Sequence, residues 1–144
     1  VIRQANKYDK TEIIETIKTF YREENFETKI DLNNDEYYDQ MFSSIIAGRG
    51  VIFIEEGKGL LVAMINNSIF DPKTLILNCI AWIVNKEYRN KITGYKLLKA
   101  YITYAEQLKQ KGQIKYYTIG KTTKTPNMKY QKLGFRKTDE IWAR

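Results

Sequence analysis

The chain has no histidine, one cysteine (Cys79) and two prolines among its 144 residues. Without histidine there is no Ser-His-Asp triad, no Cys-His pair and no imidazole-ligated metal. A lone cysteine excludes an internal disulfide framework and a cysteine-cluster metal site. No run approaches the roughly 18 apolar residues of a membrane span. No apolar signal-peptide core opens the chain, since Lys7, Asp9, Lys10 and Glu12 interrupt it. A cytoplasmic location is the default expectation, with no membrane partner.

What is present reads as a soluble globular chain, 43% hydrophobic and 28% charged. Its length suits one domain, 1–144, burying about two-thirds of the surface of the unfolded chain. The net charge of +7 is unevenly spread. Residues 1–60 carry eight Lys/Arg against twelve Asp/Glu, whereas residues 61–144 carry sixteen against five. An anion is therefore expected at the C-terminal half, either a phosphorylated cofactor or, ranking below it, nucleic acid.

The hydrophobic period changes along the chain. Val1–Ala5 is a short candidate strand, and Asp9 with Glu12 resembles an N-cap and N3 pair opening a helix over about 10–24. A second helix follows Asn33-Asn34-Asp35 and leaves at Gly48 and Gly50. Gly50–Glu55 and Leu60–Phe70 flank Gly57-Lys58-Gly59 as a hairpin. Thr74–Val84 is a third strand with two largely apolar alternating sets, one holding Leu75, Leu77, Cys79, Ala81 and Ile83. It is expected to be central and covered on both faces. Thr93–Gln110 returns to helical spacing, and Ile114–Ile119 is a strand parallel to the preceding one. Thr125-Pro126 opens a short helix that Gly134 closes, and Phe135–Ala143 is a final strand. The fold class is mixed α/β: a twisted sheet with helices on both faces.

In such sheets ligands gather beyond the carboxyl ends of parallel strands, near helix N-termini. Two clusters lie there. One is the loop after Val84, running through Arg89-Asn90-Lys91-Ile92-Thr93-Gly94-Tyr95, whose amides at the first helical turn are available to a phosphate. The other is Tyr130-Gln131-Lys132-Leu133-Gly134-Phe135, where a tyrosine hydroxyl can supply a proton. Each alone also fits an ordinary capped loop and an ordinary core-edge tyrosine.

Together, in this order, these segments resemble the GCN5-related N-acetyltransferase (GNAT) superfamily. Its acetyl-CoA signature is a strand, here Trp82-Ile83-Val84, then Arg/Gln-x-x-Gly-x-Gly/Ala, here Arg89 to Gly94, at the head of a long helix. Its Tyr-x-Lys-Leu-Gly-Phe element matches Tyr130–Phe135 throughout. The resemblance implies an acetyl-CoA-dependent N-acetyltransferase without a metal, acting on a small-molecule or peptide amine, with a homodimer admitted. It implies that the main chain at Ile83 and Val84 pairs with the pantetheine arm and that amides from Arg89 to Tyr95 hold the pyrophosphate. Lys121 and Lys124 could neutralise phosphates, and Tyr130 would be the general acid.

Four departures accompany it. Ile92 replaces the first glycine, which matters if the backbone there needs a positive φ. Asn78 stands where some members carry a glutamate base, so Glu55, Glu56 or a relayed water would have to serve. Thr123 stands where many members have asparagine. Only nine residues follow Phe135, so the substrate side is expected to be more open or completed by another subunit. The acidic residues Glu23, Glu24, Glu27, Asp31, Asp35, Glu36 and Asp39 could attract a cationic amine. Other readings are a catalytically inactive GNAT-fold CoA-binding or regulatory protein and a small basic nucleic-acid-binding protein.

Overall fold

The computed structural model describes residues 1–24, 30–122 and 128–144. Five strands lie in one sheet in chain order: β1 (Arg3–Gln4), β2 (Gly50–Glu55), β3 (Gly59–Asn67), β4 (Leu75–Val84) and β5 (Tyr116–Thr118). The pairs β1–β2, β2–β3 and β3–β4 are antiparallel, and β4 and β5 run parallel. Helices α1 (Lys10–Glu24) and α2 (Asp35–Ser44) precede β2, and α3 (Thr93–Gln110) crosses from β4 to β5.

Alternation along β2 and β3 sorts the core into two layers. Val51, Phe53, Leu61 and Ala63 face α3, where they meet Leu97, Leu98, Tyr101 and Ala105. Ile52, Ile54, Leu60 and Val62 face Ile13 of α1, Phe42 of α2 and Ile45 in the turn beyond it. Strand β4 breaks this regularity. Its register with β3 slips between Val62↔Ala81 and Ala63↔Cys79, which leaves Ile80 as an extra residue. A bulge flips every later side chain to the other face. Leu77 and Cys79 face α3, yet Ala81 and Ile83 face the α1 side, while Trp82 and Val84 face α3. The simple alternation expected for β4 therefore holds only up to Cys79, and Ile80 is 50% exposed rather than covered.

Other expectations shift as well. The cap before α1 is Asn6, not Asp9. The Tyr8 amide donates to Asn6 Oδ1 at 2.9 Å, and the Asn6 amide donates to Asp9 Oδ2 at 2.8 Å, a closed capping box. Asp9 is instead buried beneath a bidentate Arg3, both contacts 2.9 Å. The final strand expected over Phe135–Ala143 does not form: these residues carry no regular structure, and Ile141 and Trp142 are exposed. Their sequence, Arg136-Lys137-Thr138-Asp139-Glu140, interrupts the apolar pattern a covered strand needs. The short helix before it is a single 3-10 turn, Tyr130–Leu133, closed by Gly134 at φ +91. The Thr125-Pro126 cap, like Glu27, Thr123 and Lys124, lies outside the described residues. Among the described residues no helix is long and apolar enough to cross a membrane.

Candidate functional site

The site is defined by where β4 and β5 stop pairing. Their ladder has three registers, Ile76↔Tyr116, Leu77↔Tyr117 and Asn78↔Thr118. Beyond these, β4 continues through the Ile80 bulge to Val84, and among the described residues no strand pairs with it there on its β5 side. A bulge bends its strand and increases local twist, which is how β4 parts from β5. Tyr101 of α3 sits at the fork. Its fully buried hydroxyl donates to Thr118 O at 2.6 Å and lies 3.3 Å from Leu77 O, pinning both strands at their last joint turn. Burial and the neighbouring Cys79 and Tyr117 raise its pKa, so it stays a donor. On the opposite face the fork carries a row of neutral polar side chains. Thr118 Oγ1 donates to Asn78 Oδ1 at 2.8 Å, and Asn78 Nδ2 donates to Asn66 Oδ1 at 3.2 Å.

The open edge of β4 leads to the N-terminus of α3. The first helical bond runs from the Lys96 amide to Ile92 O at 2.9 Å, so the amides of Thr93, Gly94 and Tyr95 have no helical acceptor. Its N-cap residue, Ile92, makes no side-chain cap hydrogen bond, and no acidic residue lies in its first turn. Ile92 needs no positive φ. Its backbone is right-handed helical (φ −84, ψ −15) and its side chain is 63% exposed. The left-handed residue is Asn90, at φ +63, a conformation that asparagine tolerates better than branched residues. Isoleucine therefore causes no strain at position 92. Trp82 steadies the first turn by donating from Nε1 to Gly94 O at 3.2 Å.

Arg89 is anchored in the protein. Its Nε donates to Val84 O at 2.9 Å, and its guanidinium meets Glu23 at 2.9 Å and Glu24 at 4.0 Å. These contacts bring the C-terminal end of α1 to the end of β4, a juxtaposition that the sequence gives no spacing to foresee. The other acidic residues of this region are partly committed to the α1–α2 contact, with Asp35 on Lys18 at 3.3 Å and Asp39 on Lys10 at 3.2 Å.

Tyr130 packs with Met128 and Leu133 against the α3-side core. Its hydroxyl oxygen is buried and, among the described residues, has no hydrogen-bond partner. Leaving such a group unpaired costs about 1–3 kcal/mol, so this hydroxyl is a donor available to a further partner. Burial raises its pKa.

The expectation that Glu55 or Glu56 serves as a base does not fit the geometry. Glu55 is buried, and its carboxylate accepts from Lys96 Nζ at 2.5 Å, from Thr93 Oγ1 at 2.8 Å and from the Val1 amino group at 3.1 Å. The Lys96 contact leads in drawing its pKa down to about 2, against the opposing effect of burial. A carboxylate so weakly basic and so fully engaged takes no proton from an amine near neutral pH. It also stands two strands away from β4, about 10 Å by strand spacing. Glu56 points to Arg3 at 2.5 Å on the exposed side. Among the described residues no group of three potential metal-ligating side chains converges.

The family model described as Acetyltransferase (GNAT) family matches residues 12–135, which includes the fork, the α3 terminus and Tyr130. The chain belongs to that acetyltransferase family. Solved structures with the same fold include a predicted acetyltransferase from Clostridium acetobutylicum determined with acetyl-CoA, at 17% identity and TM-score 0.75. That similarity covers 100% of this chain and 94% of the other. Glucosamine-6-phosphate N-acetyltransferase from Arabidopsis thaliana follows at 18% identity and TM-score 0.68, covering 100% and 96%. A transcriptional regulator from Bacillus halodurans C-125 has 16% identity and TM-score 0.70, covering 100% and 97%. These likenesses establish the fold of this family member, not its substrate. No curated protein shows a significant sequence match to the chain.

Proposed function

We propose that this GNAT protein is a cytoplasmic, acetyl-CoA-dependent N-acetyltransferase that moves an acetyl group directly to a primary amine. The observation that carries this reading is the open edge of β4 beyond Asn78↔Thr118, leading to the uncapped first turn of α3. An extended arm adds to an exposed strand edge through main-chain hydrogen bonds, and a helix N-terminus suits an anion. The two features in sequence fit a ligand with an amide-bearing arm and a phosphorylated head.

Acetyl-CoA supplies an activated acetyl thioester. The chain does the rest. Main-chain groups at Ile83 and Val84 hold the arm, and loop amides from Arg89 through Asn90, Lys91, Ile92, Thr93, Gly94 and Tyr95 hold the diphosphate. An N–H on the open edge of β4 polarises the carbonyl oxygen, a fixed dipole where negative charge develops. The buried Tyr130 hydroxyl, kept protonated by its raised pKa, donates to the departing sulfur.

The acceptor is a small-molecule or peptide amine. Its ammonium form predominates at neutral pH, with a pKa near 10 for a lysine-like group. The Asn66–Asn78–Thr118 row offers that amine hydrogen bonds without a basic group. With Glu55 and Glu56 engaged elsewhere, its proton leaves to water.

The test combines CoA titration calorimetry with turnover of a panel of primary amines between pH 6.5 and 9. The expected result is CoA binding, with kcat/KM rising toward the amine's own pKa and no plateau set by a side-chain base. Absence of CoA binding at millimolar concentration overturns the reading. Binding without turnover of any amine favours the inactive, CoA-binding alternative.

A further inference from the structure

The end of α3 has no capping side chain at Ile92, and Trp82 of β4 reaches it through Gly94 O at 3.2 Å. Ile92 precedes the helix without a side-chain hydrogen bond, and the large buried contacts of α3, at Leu97, Leu98 and Tyr101, begin one turn later. Yet Thr93, the first helical residue, is only 3% exposed. What holds it is a carboxylate from another element. Glu55, the last residue of β2, reaches up from the sheet to the first turn. One oxygen accepts from Thr93 Oγ1 at 2.8 Å and the other from Lys96 Nζ at 2.5 Å. Thr93 and Lys96 are three residues apart, on one face of that turn. A grip on both fixes the turn's rotation as well as its height over the sheet.

We infer that Glu55, Thr93 and Lys96 form a positioning clamp that aims the free amides of Thr93, Gly94 and Tyr95, and so sets affinity for the diphosphate of the proposed ligand. The inference rests on the acetyl-CoA reading above. Three features distinguish the clamp from an ordinary buried ion pair. It joins β2 to a turn that Trp82 of β4 holds only through Gly94 O, so it adds a second strand's grip on the turn's side chains. It leaves no net negative charge beneath a site for anions, because the Lys96 ammonium and the Val1 amino group offset the Glu55 carboxylate. And it engages Lys96, leaving the main-chain amides as the anion's donors. Glu55, Thr93 and Lys96 are thus positioning residues, with no contact to the reacting atoms.

The experiment is isothermal titration of the whole protein with CoA, and with pantetheine, which lacks the diphosphate. Thr93→Val preserves shape and removes the hydroxyl. It is expected to weaken CoA about tenfold, the loss of one charge-assisted hydrogen bond, and to leave pantetheine within twofold. Thr93→Ser restores the hydroxyl and is expected to bind CoA within twofold of the parent. Lys96→Met releases the second arm with Thr93 intact and is expected to cost about threefold in CoA affinity. It carries the test if Thr93→Val fails to fold. Unchanged CoA affinity in the folded Thr93→Val protein, or in Lys96→Met, overturns the clamp. So does an equal loss for CoA and pantetheine, which a merely structural role would produce. Failure of the parent protein to bind CoA overturns the functional reading instead.

Discussion

The two halves of the sheet are built to opposite specifications. In β2 and β3 six registers pair without interruption from Gly50↔Met64 to Glu55↔Gly59. Nearly every residue from Val51 to Ala63 in these strands is buried, one set against α3 and the other against α1 and α2. In β4 and β5 only three registers pair, the ladder stops at a bulge, and most side chains are half-buried. The first half spends its main-chain hydrogen bonds on itself, and the second holds some in reserve. An unpaired edge is normally a liability, tolerated where water or a ligand can satisfy it. The rigid half carries stability so that the open half can carry a site.

The sharpest way to break that comparison is at its rigid side. Leu61, fully buried opposite Phe53, should lose about 2–5 kcal/mol on replacement by alanine, measured by urea denaturation. That is a large share of a typical domain's stability, about 5–15 kcal/mol. On the open side the expected loss is in catalysis. Tyr130→Phe should lower kcat about 100-fold while leaving CoA affinity unchanged. The same substitution should raise thermal stability, because it removes a buried hydroxyl that has no partner among the described residues. A fall in melting temperature would contradict that account.

A smaller effect separates the halves by pH. Glu55 has its pKa lowered to about 2 from an ordinary 4.5, so the unfolded chain binds its proton first. Its contribution to stability is complete above about pH 4.5 and is lost progressively as pH falls toward 2. Glu55→Gln should therefore be less stable at neutral pH and flatter between pH 4.5 and 2, as followed by circular dichroism. The smallest effect is expected at Ile92. Its side chain faces solvent on a helical backbone, so Ile92→Ala should change stability by less than about 0.5 kcal/mol. CoA affinity in that variant should stay within about twofold, because the amides that bind are main-chain groups.

Much of this was legible in the chain itself, for identifiable reasons. Helices α1, α2 and α3 and strands β2, β3 and β4 follow from hydrophobic period and from turn residues, signals carried by neighbours in sequence. The parallel pairing of β5 with β4 follows from the long helix between them. The resemblance through Arg89–Gly94 falls on the loop between β4 and α3, beyond the last β4–β5 pair. The Ile80 bulge was not legible, because two apolar sets look alike whichever face each takes. Nor was the burial of Glu55, since an acidic residue beside Gly57-Lys58-Gly59 reads as a turn. The missing strand at the C-terminal end was misread for a similar reason: Phe135 and Ile141-Trp142 suggest pairing, but pairing requires a covered face.

What the amino-acid sequence alone determined is local: which segments coil, which extend, where they turn, and the family those segments spell. What only the tertiary structure decided is which groups are left over. Whether the β4 edge is free, whether Tyr130 has a partner and whether Glu55 is a base or a tether all depend on contacts between distant residues. Such contacts are three-dimensional facts, because hydrogen-bond satisfaction and desolvation are properties of a whole neighbourhood, not of a residue type.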